Sequence, residues 1–484
     1  MTSEAKPNLL TTPVNRMLLL MASPINLGML STFLFQVVDN YFVGKLGATQ
    51  LAALGFASTI YVLLVNMVMG LAVGVGSLVG RSLGKGDSRA AAGFATPALL
   101  FTLVISIVVS IAGYFTIHPL FGTLGADSKT LAMIEQYMSV LYLGLPVLNL
   151  GIVGGAAVRA SGRIAPPEII MGIAGVINLV LDYLLIFGAG PIPAMGIAGA
   201  AWATVTSWVF IGLAIPVYLL KGDLIRVRGL FADGERIMNN TGEILRLSGP
   251  AILTQILTPL TATFLIFLIA KSGADAVAAF GIATRIEMLA LVGIFAVSTA
   301  VTPFIAQNLG ARLRERIEDA VVFAGKASIY WGLLIMAILL IFAGPIARIF
   351  SDDAQVLSNT KLYFYITALS YPAFGLMTVT SAIFNGIQIP RDSLKILLVK
   401  TFVLTIPLTL LGSLWGYLGI LVGLSLSNIA GGIHAARVMK RSLVKSGSAL
   451  AKRSPMEDYR ADLEGVIGRF RGRRNQDEFN KARP

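Results

Sequence analysis

Cysteine is absent from the 484 residues, which excludes a disulfide scaffold, a thiolate metal centre and a cysteine nucleophile. Histidine is almost absent: His118 and His434 are the only two, so an imidazole metal centre or a Ser-His-Asp triad is poorly supported. Charge is scarce too, at 13% Asp, Glu, Lys and Arg, where a soluble domain carries about 25%. No GxxxxGK[ST] segment occurs, which argues against an ATP-driven pump. What the chain has in place of charge is apolar surface, with 56% hydrophobic residues and a mean hydropathy of +0.79. It is a membrane protein.

Apolar stretches long enough to cross roughly 30 Å of hydrocarbon as helices recur twelve times, at about 15–43, 51–80, 91–117, 130–158, 165–189, 194–220, 243–270, 276–309, 317–344, 355–386, 391–412 and 416–441. The expected fold is all-α and polytopic. Residues 1–14 form a short N-terminal segment without the compact apolar core of a removable signal. Residues 221–242 are a polar linker, and 442–484 a basic tail.

The formal charge of +13 would suggest nucleic acid for a soluble chain, but the positions of the charges assign it to the membrane. With both termini cytoplasmic, seventeen Lys and Arg outside the tail fall on the inner side, and thirteen more follow from Arg437 onward. Only Lys45, Lys129, Lys271, Arg348 and Lys361 fall outside. That is the bias of the positive-inside rule. It implies a multi-pass protein of the cell (inner or plasma) membrane, with lipid and not nucleic acid as its surroundings.

The chain repeats itself. KLGATQLAALGFA at 45–57 matches KSGADAVAAFGIA at 271–283 at an offset of 226, and Leu83-Gly84 matches Leu309-Gly310 at the same offset. Gly162 and Pro166 align with Gly386 and Pro390, and Gly196-Ile197 with Gly419-Ile420, as the offset drifts to 223. Two pseudo-symmetric six-helix lobes follow, at 15–220 and 243–441. An even number of helices makes them parallel repeats.

Most acidic residues lie in loops or the tail. Asp39, in QVVDNYFVGKLG at 36–47, and Asp182, in INLVLDYLLIFG at 177–188, lie in apolar spans. A carboxylate there costs about 2.5–3.5 kcal/mol on insertion scales and marks an ion or substrate pathway by default. Asn178 is one turn before Asp182 and faces the same way, and Tyr137, Thr204 and Thr206 add polar groups nearby. The offsets put Leu265 and Thr405 in the places of Asp39 and Asp182, so the ionisable site is expected in the first lobe alone. Glu287 is left outside it. Pro24 interrupts the first span as a bend or hinge, with Pro259 taken as its near counterpart in the seventh.

These features together, with the RSLGKGD turn at 81–87 and GIAGAAWAT at 196–204, resemble the multidrug and toxic compound extrusion family over about 13–440. The acidic pattern resembles the prokaryotic branch related to the DNA-damage-inducible and archaeal types, with its acidic site in the N-terminal lobe. In the other large bacterial branch the seventh helix carries a Glu. Here that helix reads GPAILTQILTPLTATFLIF.

The resemblance implies coupling-ion roles for Asp39, Asp182, Asn178 and Thr204, which are also the ligands if the ion is Na+. It implies a substrate-contacting role for Tyr137 alongside Asp39 and Asp182, and a first-helix bend at Pro24. It further implies a monomeric secondary antiporter and not an enzyme, without a catalytic residue or an organic cofactor. Such a protein exports small organic, cationic amphipathic drugs in exchange for H+ or Na+. A lipid-linked saccharide flippase or a specific metabolite exporter of the same superfamily is the alternative, and an intramembrane enzyme using Asp39 and Asp182 as an acid/base pair is the rival from another class.

Overall fold

The computed structural model describes residues 8–225 and 234–445. The expectations placed on residues 1–7, on 226–233 of the linker and on the tail beyond 445 lie outside those residues.

Hydrocarbon offers no hydrogen bonds, so each spanning segment must satisfy its own backbone, and the described residues are helical almost throughout. The helices are α1 (Val14–Leu46), α2 (Ala48–Gly84), α3 (Ser88–Thr123), α4 (Ser128–Ala160), α5 (Ala165–Phe187), α6 (Ile197–Lys221), α7 (Gly234–Ala270), α8 (Ala274–Ala290), α9 (Val292–Gly310), α10 (Arg314–Arg348), α11 (Ala354–Thr367), α12 (Tyr371–Gly386), α13 (Pro390–Leu398), α14 (Ile406–Gly412) and α15 (Gly416–Lys445).

Eleven helical stretches are long and apolar enough to span, and the last, Pro390–Lys445, runs for 56 residues. It reverses at Gly416, where φ is 65°. The backbone carbonyl of Gly419 lies where a Cβ on Gly412 would be, so this stretch is an antiparallel hairpin and makes two passes. Twelve passes result, as the hydropathy of the chain predicts.

Three passes of the second half are interrupted where the sequence suggests continuous helix. The eighth breaks at Leu291 between α8 and α9, where Trp331 Nε1 donates to the Ala290 carbonyl at 2.8 Å. The tenth tightens into a 3-10 turn at Ala368–Ser370, and the eleventh widens into a π-helical stretch at Val399–Thr405.

The repeat reaches the turns and caps. Asp127 accepts from Thr130 N at 2.8 Å to cap α4, and Asp353 accepts from Gln355 N and Val356 N at 2.8 Å to cap α11, 226 residues on. The bond to Thr130 holds the Asp127 carboxyl below the usual carboxylate range. Left-handed residues pair at the same spacing: Gly47 with Gly273, Gly86 with Arg312, and Gly162 with Gln388. The structural partner of Gly162 is thus Gln388, not Gly386. Likewise Pro250, inside α7, stands 226 residues after Pro24, and replaces Pro259 as its counterpart.

The two halves meet on the face where α2 ends. Gly84 and Gly310 lie against the carbonyls of Gln307 and Arg81, where no Cβ would fit, and Gly70 and Gly74 lie against Ile252 and Ser248. Ser77 Oγ donates to Asn385 O at 2.9 Å, Arg81 Nη1 to Gln388 Oε1 at 2.6 Å, and Gln307 Nε2 to Ala160 O at 3.1 Å. Residues ahead of α1 join this seam, because Arg316 Nη2 donates to Leu9 O at 2.9 Å and to Thr12 O at 2.7 Å.

Candidate functional site

Asp39 and Asp182 are brought together because α1 and α5 lie side by side. Gly175 on α5 leaves room for the Phe35 ring, and Gly28 on α1 leaves room for Glu168, whose carboxylate accepts from Arg159 Nη1 at 2.9 Å. One turn beyond the aspartates, the Phe42 ring lies 6.2 Å from Tyr183 and 5.9 Å from Phe187. The aromatic contacts and the small residues fix the register that places one carboxylate beside the other.

Asp182 is 1% exposed, and neither of its carboxylate oxygens has a hydrogen-bond partner in the protein; nor does Asp39 Oδ1. Buried polar atoms are almost always paired, and leaving one unpaired costs about 1–3 kcal/mol. The two carboxylates act on each other electrostatically. Tyr137, buried on α4, lies in the field of both, and Tyr61 on α2 in that of Asp39. Tyr61 stacks on Trp208 of α6 at 5.6 Å with the rings 10° apart. On the adjacent turn, Asn178 Nδ2 donates to Thr204 Oγ1 at 3.4 Å.

Asp39, Tyr137, Asn178, Asp182 and Thr204 therefore sit on neighbouring helices of the first half. Thr206 does not join them: it is exposed and donates to the Trp202 carbonyl of its own helix at 2.8 Å. Pro24 lies four residues before Gly28 inside the unbroken helix α1, close to the Glu168–Arg159 pair and distant in sequence from Asp39.

Tyr61 is the member that the sequence does not single out. Nothing in an apolar span marks one tyrosine above others, and its role in the cluster depends on where α2 crosses α1 and α4. Among the described residues there is no group of three His, Asp or Glu placed to hold a metal ion. The carboxylate, amide and hydroxyl oxygens of Asp39, Asp182, Asn178 and Thr204 suit either a proton or an oxygen-liganded Na+.

The second half fills these positions differently. Leu265 is buried, and Thr405 Oγ1 donates to Ser427 Oγ at 3.0 Å; Ser427 follows Thr204 by the local offset of 223. Two hydroxyls satisfy each other where the first half has an unpartnered carboxylate. Glu287, set aside on sequence grounds, accepts from Tyr363 and, at 3.2 Å, from Tyr371.

The sequence profile of the MatE family matches residues 24–184 and again 250–411, once in each half. The FAD transporter of Shewanella oneidensis is 35% identical over 90% of this chain and 96% of its own. The probable multidrug resistance protein YoeA of Bacillus subtilis is 26% identical over 72% of this chain and 76% of its own. The Vibrio cholerae MATE transporter VcmN in its bent form superposes with a TM-score of 0.83 at 26% identity, covering 89% of this chain and 97% of that one. With its repeated profile match, its helical architecture and these relatives, the chain belongs to the MATE family of membrane transporters.

Proposed function

We propose that this transporter is a secondary antiporter that exports organic molecules in exchange for H+ or Na+, with Asp39 and Asp182 as the coupling groups. The observation that carries this reading is the pair of adjacent carboxylates, three of whose oxygens are buried without a protein partner. Such groups are expensive in a membrane unless they exchange an ion or contact a substrate. Loading by H+ or Na+ changes the charge around Tyr137, and so changes the affinity for a charged cargo. Ion and cargo then exclude each other, and alternate exposure of the site to the two sides makes the exchange an antiport.

On this reading, Asn178 and Thr204 orient or ligate the ion, and Tyr137 contacts the cargo. The seam on the face where α2 ends is the closed gate of the state described, and that face is cytoplasmic by the distribution of Lys and Arg.

Two classes of cargo have support. Organic amphipathic cations fit the acidic site and the multidrug names of several relatives. A specific metabolite, flavin adenine dinucleotide, is favoured by the name of the 35% identical relative and its nearly complete coverage. Purified protein in liposomes is tested with ethidium and with flavin adenine dinucleotide, first under an imposed pH gradient and then under a Na+ gradient. Gradient-dependent movement of either supports the reading. Movement of neither, from protein shown to be inserted and folded, refutes it.

A further inference from the structure

The repeat locates a second polar centre. Tyr137 and Tyr363 both stand ten residues after their cap aspartates, Asp127 and Asp353, and the offset of 226 that relates them also relates Tyr61 to Glu287. At the local offset of 223, Trp208 corresponds to Gly431. The stacked Tyr61–Trp208 pair of the first half is thus replaced in the second by a carboxylate and a glycine. Lys400 fills the space released: a Cβ on Gly431 would sit 3.2 Å from Lys400 Cγ. The ammonium stands over the Phe374 ring, 5.4 Å from its centre.

A lysine in a membrane interior needs a counter-charge, and Glu287 is the one that acts on it. The two do not form a contact ion pair among the described residues, since the Glu287 carboxylate is held by the hydroxyls of Tyr363 and Tyr371. The ammonium's donors have no hydrogen-bonded partner among the described residues. Lys400 also belongs to the π-helical stretch Val399–Thr405, an irregularity found mostly where a helix serves a function. Phe374 and Phe295 lie edge to face at 6.3 Å, which sets aromatic surface beside the cation.

We propose that Lys400 and Phe374 form an anion-recognition site in the second half, receiving the phosphate or carboxylate of an aromatic organic anion. Glu287 is the counter-charge of Lys400 when no such group is bound. This deepens the exporter reading and rests on it: the first half exchanges the coupling ion, and the second selects cargo by negative charge. The same chemistry could hold a lipid headgroup phosphate, and the experiment distinguishes the two sources.

Binding of flavin mononucleotide and of riboflavin, which differ by one phosphate, is measured by flavin fluorescence with the full chain in phosphatidylcholine nanodiscs. The expected result is about tenfold tighter binding of the phosphorylated flavin. Lys400→Met removes the preference, Lys400→Arg keeps it, and Glu287→Gln increases it by relieving the competing charge. Equal binding of the two flavins by the unmodified protein overturns the proposal, as does an unchanged preference in a folded Lys400→Met variant. If the Lys400-dependent signal instead follows added phosphatidylglycerol, with no preference between the flavins, the anion is a lipid headgroup and the cargo assignment fails. Equilibrium binding requires no ion gradient, so these failures leave the transport reading to its own test.

Discussion

Arg81 Nη1 donates to Gln388 Oε1 at 2.6 Å and ties the end of α2 to the turn after α12. Gln388 holds a left-handed backbone, φ 64°, at the place where the first half has Gly162. A side chain there costs roughly 1 kcal/mol, and the clamp gives a physical reason to keep it. Gln388→Gly should relieve the backbone while releasing the seam. Nitroxides on cysteines introduced at the exposed positions Lys85 and Glu315 are expected to give a longer, broader distance distribution in the Gln388→Gly protein. An unchanged distribution would mean that the glycine contacts alone hold this face.

Gly74 and Ser248 offer a reversible lock. A Cβ on Gly74 would lie 3.0 Å from Ser248 Cβ, near the roughly 3.5–4.5 Å of a disulfide, and the chain has no cysteine to interfere. The oxidised Gly74→Cys/Ser248→Cys protein should stop transporting, and a reductant should restore it. Full transport by the cross-linked form would show that this face need not open.

Asp39→Asn and Asp182→Asn are each expected to abolish gradient-driven efflux and leave a folded protein, because an amide cannot exchange the proton or balance Na+ as a carboxylate does. Thr405→Val removes one neutral hydrogen bond, to Ser427, worth about 1 kcal/mol, and should lower the melting temperature slightly with little effect on transport. If both Asn variants kept near-normal accumulation in vesicles, the two carboxylates would be packing struts, and coupling would have to be sought at Glu287.

Orientation has its own check. A cysteine at Lys129 should label from outside, and a reporter fused after Arg441 should lie inside. Asp127 is the poorer labelling site, since its carboxylate caps α4. Its carboxyl is held below the usual range by Thr130, so the cap contributes above the unfolded-state value and is lost as pH falls through the lowered one. Labelling at neutral pH leaves it intact. A tail found outside would reverse the charge assignment.

Hydropathy alone determined the twelve passes, because no alternative to a helix satisfies the backbone in lipid. The repeat was legible in KLGATQLAALGFA and KSGADAVAAFGIA, and Asp39 and Asp182 were legible because a carboxylate in an apolar run needs a reason. Asn178 followed from helical periodicity. Only the tertiary structure put Asp39 beside Asp182, since that proximity depends on α1 packing against α5 through Gly28 and Gly175. It also decided that Thr206 turns away, that Tyr61 belongs with Tyr137, and that Gly162 answers to Gln388. The Glu287, Tyr363 and Lys400 cluster was spelled out in the chain at intervals of no apparent meaning. Contacts between residues more than 70 positions apart are set by how helices cross, and neither periodicity along one helix nor composition carries that information.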